Sequence, residues 1–148
     1  MRIYFVNDRL SFGSAVSSEK DIRQLLRRGI THVINLRRTN VNLKDHFNCV
    51  WLPRRNDYRP RTTLFYRKAL NAFRKISKQN GSKLFVMCHH GYHRSPSLVY
   101  FFLRASGVPS SEARHLISQA RLAARVVTSY AESAERFLSS QSVVRRKD

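Results

Sequence analysis

Residues 88–95 read Cys-His-His-Gly-Tyr-His-Arg-Ser, and the stretches on either side leave that octapeptide only one place to sit. Before it, Lys83-Leu84-Phe85-Val86-Met87 is a short apolar run with β-branched and aromatic members, the pattern of a buried strand. After it, Pro96 to Ala105 opens with a proline at a first-turn position and closes on Gly107, which are helix start and stop signals. Cys88 therefore stands where a strand passes into a loop and the loop into a helix N-terminus. The five residues between Cys88 and Arg94 are enough to curl the backbone with several N–H groups inward, a nest for an anion. With no anion bound, the same field favours a thiolate at Cys88. Nucleophile and anion cradle would be one loop.

The remaining chain alternates in the same way. A strand-like run occurs at Cys49-Val50-Trp51-Leu52, and helix-like runs at about Glu19 to Arg28 and Thr62 to Gln79. The first helix has Ser18 as cap with Asp21 three residues on, Ile22, Leu25 and Leu26 on one face, and Gly29 at its stop. Two more helical patterns follow the octapeptide, Ser110 to Arg121 and roughly Val126 to Leu138. The expected architecture is α/β, a central and mostly parallel sheet flanked by helices. At 148 residues the chain reads as one domain spanning 1–148, with a short basic C-terminal tail from about 141. Met1 to Leu10 is too polar for a signal peptide and no apolar run nears the roughly 20 residues a bilayer span needs. The expectation is a cytoplasmic protein. Cys49 and Cys88, the two cysteines, form neither a disulfide framework nor a Cys-x-x-Cys pair, which fits a reducing compartment. Cys49 is most simply a buried strand residue, with a reversible disulfide to Cys88 open if their strands are neighbours.

Cys88, Gly91, Arg94 and Ser95 resemble the signature of the cysteine-dependent protein tyrosine and dual-specificity phosphatases: cysteine, five residues, arginine, then serine or threonine. The alternating strands and helices extend the resemblance to the small dual-specificity type over most of the chain, and Ile30 to Arg37 looks like the second strand of that type. Met87 replaces the family's usual histidine before the cysteine, so one group that helps tune the thiolate is missing while the nucleophile stays. The family also uses an aspartic acid on a separate loop, about thirty residues upstream in compact members. Asp57, in Arg54-Arg55-Asn56-Asp57-Tyr58-Arg59-Pro60, matches that position and its polar, proline-flanked setting is a loop. Asp45 is the rival acid and Asp8 a third.

The implied chemistry answers what a phosphate monoester dianion demands. Backbone N–H groups of about His89 to Arg94 and the Arg94 guanidinium neutralise the phosphoryl oxygens. Cys88 attacks to form a cysteinyl-phosphate, Asp57 protonates the leaving oxygen and then activates water, and Ser95 eases departure of the sulfur. Such a route requires no cofactor. His89, His90 and His93 could in principle ligate zinc, but side chains of a tight loop with inward N–H groups point outward, and carboxylate or thiolate partners at ligand spacing are missing. They are read, with Gly91 and Tyr92, as the substrate-binding entrance. Phe5, Phe47, Phe65, Phe73, Phe101, Phe102 and Trp51 are read as core.

Charge narrows the partner. The chain carries 28 Lys and Arg against 9 Asp and Glu, a net +19. Arg37, Arg38, Arg54, Arg55, Arg59, Arg61 and Arg94 fall at or near C-terminal strand ends, where ligands of parallel sheets bind, so seven arginines would face one rim. Such a field favours an anionic phosphorylated substrate: a phosphoprotein first, with a phosphoinositide or an RNA 5′ end as alternatives. A basic nucleic-acid or phosphate-binding module without activity is the competing class, although no helix-turn-helix, zinc or RNP signature is present.

Overall fold

Strand β5 (Leu84–Met87) has all four residues buried and is the centre on which everything else is hung. A computed structural model describes residues 1–147, with side chains described through Gln141. The other strands are β1 (Ile3–Phe5), β2 (Leu10–Gly13), β3 (His32–Asn35) and β4 (Asn48–Trp51), in the order β1-β2-β5-β3-β4. β1 is antiparallel to β2, and every other pairing is parallel. Alternation along β5 assigns its two faces. Leu84, Val86 and then Cys88 face the larger apolar cluster, shared with α2 (Thr63–Ser77), α3 (Arg94–Ala105), α4 (Ser110–Ala120) and α5 (Thr128–Lys147). Phe85 and Met87 face the smaller one, with Leu25 of α1 (Glu19–Arg27). The sheet is thus covered on both sides, as parallel sheets must be.

Local chemistry sets most element ends. Ser18 and Thr62 cap α1 and α2, accepting from the N–H groups of Asp21 and Phe65. Helix α3 begins at Arg94, two residues before Pro96, so the proline occupies the first turn, where a missing N–H costs nothing. The β1–β2 hairpin has no counterpart in the sequence reading, because β1 is a three-residue edge strand and the alternation of Leu-Ser-Phe-Gly in β2 runs for only four residues.

Two further expectations need correction. Trp51 is not core: it ends the edge strand β4, is 44% exposed, and donates its indole N–H to the Arg37 carbonyl at 2.7 Å. Cys49 is only half-buried and cannot pair with Cys88, because β3 lies between β4 and β5 and Cys49 sits level with Phe85. Two strand spacings of about 4.8 Å exceed the reach of a disulfide. Its thiol donates to the Phe47 carbonyl, and burial pushes its pKa up. Over the stretch from about 141 read as a basic tail the backbone continues α5 to Lys147, and the side chains of Arg145, Arg146 and Lys147 lie outside those described.

Tyr66 ties three helices together. Its ring lies 4.6 Å from that of Phe101 and 5.8 Å from that of Phe137, and its hydroxyl reaches the Tyr130 carbonyl at 2.7 Å and Ser133 Oγ at 2.8 Å. Burial pushes its pKa up to about 12, so the fold prefers the neutral phenol. That preference contributes fully below the ordinary value of 10.0 and is lost as pH rises through about 12. Tyr66→Phe is expected to cost about 1 kcal/mol at neutral pH. In urea melts run across that alkaline window, the variant should lose less stability than the wild type.

Candidate active site

Cys88 follows directly on β5 and is 2% exposed, so its surroundings rather than solvent define its chemistry. Three groups meet its sulfur: Ser95 Oγ at 3.2 Å, the Gly91 N–H at 3.3 Å and the Ser95 N–H at 3.4 Å. As a thiol, Cys88 donates to Ser95 Oγ, which in turn donates its hydrogen bond to the Gly13 carbonyl at 3.4 Å. As a thiolate it would accept from all three. Ser95 is in the first turn of α3, whose N-cap residue His93 makes no side-chain cap, leaving the positive helix end to the sulfur and to any anion above it.

A glycine lets the loop close on β2, and a second one stands at the strand end it meets. Gly91 has φ of +75°, and a Cβ there would fall 2.8 Å from the Gly13 carbonyl carbon and 3.0 Å from Arg121 Nη1. A Cβ on Gly13 would fall 2.4 Å from the Arg2 carbonyl oxygen. The resulting contact is hydrogen-bonded on both sides: Cys88 N–H donates to the Gly13 carbonyl at 3.4 Å and Ala15 N–H to the His89 carbonyl at 3.1 Å.

From the other side the loop is held by Arg121, a residue the sequence reading noted only as a helix end. Its Nη1 donates to the carbonyls of His90 at 3.0 Å and Gly91 at 3.2 Å. Its guanidinium lies 4.0 Å from the Tyr92 ring centre and 4.8 Å from that of Tyr4. Arg125 N–H adds a bond to the Tyr92 carbonyl at 2.8 Å. With the carbonyls tied outward, the loop's N–H groups are free to face in. No spacing rule in the sequence marks Arg121 for this.

Arg94 donates from Nη1 to the Arg54 carbonyl at 2.8 Å and to that of Leu36 at 3.5 Å, both at strand exits. His89 and His90 are exposed, with ring centres 4.1 Å apart. The His89 pKa is lowered by its His90 neighbour first, and by slight burial, Arg37 and Arg94 after it. His93 is turned to the next loop: its Nδ1 accepts from Asn56 Nδ2 at 3.2 Å, and Tyr58 meets its ring edge-on at 5.6 Å. Burial, then Arg125 and Arg94, lower its pKa. Among the described residues, no group of three or more His, Cys, Asp or Glu side chains is arranged to hold a metal.

Topology separates the three candidate acids. Asp57 follows β4 and so lies at the sheet end where Cys88 emerges from the parallel β5. Asp45 comes just before β4 and Asp8 just before β2, at the opposite end. The Asp57 loop is pinned to α5: Tyr58 holds the left-handed φ of 60°, its N–H donates to the Tyr130 hydroxyl at 2.9 Å, and its carbonyl accepts from Ser129. Asp57 itself is exposed, and its Oδ1 accepts from Arg59 N–H at 3.1 Å and Arg61 Nη1 at 3.4 Å. The Arg59 hydrogen bond first, then the Arg61 and Arg59 charges, outweigh slight burial and hold its pKa below the usual carboxylate range.

The rim of seven arginines is smaller than expected. Arg61 is turned inward, its side chain 8% exposed beneath the Tyr130 ring, and Arg54 packs half-buried over Phe65. Arg38, Arg55 and Arg59 remain exposed, with Arg37 and Arg94 half-buried beside them.

No family model matches the sequence, and no curated protein matches it significantly. Solved structures do. PTPMT1 superposes with a TM-score of 0.82 at 18% identity, covering 99% of this chain and 100% of its own. DUSP15 gives 0.81 at 21% identity over 97% and 93%. A human tyrosine phosphatase-like serine/threonine/tyrosine-interacting protein gives 0.80 at 16% over 94% and 97%. The chain has the fold of the small dual-specificity phosphatases.

Gly91→Ala forces a side chain into both the left-handed backbone and the Gly13 contact. We expect a loss of about 2 kcal/mol or more in denaturant melts. Vanadate, as a phosphate mimic, should bind at least about tenfold more weakly.

Proposed function

We propose that this protein is a cysteine-dependent phosphatase of the dual-specificity type, hydrolysing phosphate monoesters through a cysteinyl-phosphate. The observation that carries the reading is the Cys88 sulfur held by the N–H groups of Gly91 and Ser95 and bonded to the Ser95 hydroxyl, on the floor of a loop whose carbonyls Arg121 ties down, above a helix N-terminus and beside Arg94. A phosphoryl group set on that loop meets N–H groups at its oxygens, the Arg94 guanidinium on one flank and the sulfur in line beneath it. The sulfur attacks phosphorus, the leaving oxygen departs with a proton from Asp57, and the Asp57 carboxylate takes a proton from the water that releases phosphate. The Ser95 hydroxyl, already 3.2 Å from the sulfur, stabilises the thiolate as it leaves. For the first step Asp57 must give up its bonds to Arg59 and Arg61 and bind a proton, which substrate charge above the loop would favour.

Phosphotyrosine, and phosphoserine or phosphothreonine, are the proposed substrates in a reducing cytoplasmic setting. A phosphoinositide is the alternative that a structural neighbour favours, since PTPMT1 is also known in complex with PI(5)P. A catalytically silent phosphate reader is the second reading, favoured by the ionised, exposed resting state of Asp57.

Hydrolysis of a chromogenic aryl phosphate, with reductant and no added metal, tests the reading. Cys88→Ser should abolish turnover, and Asp57→Asn should lower kcat about 100-fold or more. The wild-type rate should be highest on the acid side and fall as pH rises through the Asp57 ionisation, because the acid must carry its proton, and Asp57→Asn should lack that limb. Turnover that survives Cys88→Ser sinks the assignment. Absence of wild-type turnover together with tight vanadate binding would favour the silent reader.

A further inference from the structure

Among the described residues, six large apolar side chains are strongly exposed, and their distribution is one-sided. Leu26, at the end of α1, is on its own. The other five belong to the elements and loops that surround Cys88. Trp51 closes β4 and is bonded to the Arg37 carbonyl at the exit of β3. Tyr58 stands on the Asp57 loop and is 54% exposed, and Leu64, equally exposed, lies in the first turn of α2 just after it. Tyr92 is in the signature loop. Leu122, 85% exposed, lies in the turn after α4 that Arg121 and Arg125 bond to that loop. Singly scattered residues of this kind need no explanation, but five around one opening do.

The same loops carry exposed Arg38, Arg55, Arg59 and Arg125. Their aspartate, Asp57, is already paired with Arg61. The surface is therefore basic with an aromatic and aliphatic fringe. Nucleic acid would use the arginines and stack on Trp51, Tyr58 and Tyr92, but offers Leu64 and Leu122 nothing better than water. An anionic bilayer has a place for every member: phosphates for Arg, the headgroup zone for Trp and Tyr, and the acyl boundary for Leu.

We propose that the face around Cys88, marked by Trp51, Tyr58, Leu64, Tyr92 and Leu122 with the exposed arginines between them, docks on an anionic lipid surface and presents the pocket to headgroup phosphates. The docking itself requires no chemistry; only the fate of a bound headgroup rests on the phosphatase reading above.

Trp51 is the single tryptophan of the chain and reports on this face directly. The full-length protein is mixed at physiological salt with vesicles of phosphatidylcholine alone, or with phosphatidylserine added. The expected result is co-sedimentation with the anionic vesicles only, a blue shift of Trp51 emission, and quenching by brominated acyl chains. Leu122→Ser should weaken partitioning about tenfold or more, as for one leucine side chain taken out of water, with aryl phosphate turnover unchanged. Three results overturn the proposal: sedimentation with neither shift nor quenching, which is adsorption by net charge; Leu122→Ser partitioning like the wild type; or a Trp51 shift produced by an oligonucleotide and not by vesicles. A protein that docks as described but lacks aryl phosphate turnover would retain the docking face and lose the enzymatic reading; turnover without docking would do the reverse.

Discussion

The contact between Gly13 and Gly91 is the constraint on which the site depends. The loop after β5 must turn sharply enough to bring the N–H groups of Gly91 and Ser95 back onto the Cys88 sulfur. That turn needs a positive φ at Gly91, and the curl needs somewhere to lie. It lies on the end of β2, where the missing side chain of Gly91 lets the loop backbone approach that of Gly13 closer than a Cβ would permit. Because β2 and β5 are parallel and in register from Leu10↔Leu84 to Gly13↔Met87, the strand that supports the loop ends level with the strand that launches it. A one-residue slip would flip the β2 side chains to opposite faces and put a different residue under the loop.

Arginine has two distinct jobs here. Arg121, Arg61 and Arg54 act inside the structure, donating to loop carbonyls or stacking on Tyr92, Tyr130 and Phe65. Planar, permanently charged guanidinium suits this work, since it bonds carbonyls through its edge while its face lies on a ring. Arg38, Arg55, Arg59 and Arg125 stay exposed and set the field at the opening. A net charge of +19 thus overstates what an incoming anion meets, and position within the fold decides which charges count.

Asp57 and His93 show how the two loops of the site communicate. Asn56 bonds His93, the residue next to Arg94, while Arg61 and Arg59 hold the Asp57 carboxylate ionised. The Asp57 loop is therefore attached to the loop after β5 by a hydrogen bond made next to Arg94, while its carboxylate is tuned by charge.

The octapeptide of residues 88–95 was legible because its chemistry is local: a buried strand, a glycine, an arginine and a hydroxyl at fixed offsets can be read without knowing what surrounds them. Most strands and helices were legible for the same reason, through alternation, caps and glycine stops within a few residues of each other. What the sequence could not display depends on partners far along the chain. Arg121 finds the carbonyls of His90 and Gly91 about thirty residues away, β2 reaches the loop only through its pairing with β5, and Trp51 is exposed only because β4 is the sheet's edge. Local pattern alone determined that Cys88 opens a loop between a buried strand and a helix, and the layered α/β class. Strand order decided which aspartate shares an end with Cys88, that Cys49 is out of its reach, and which arginines face solvent, because neighbourhood in a sheet is set by pairing and not by distance along the chain.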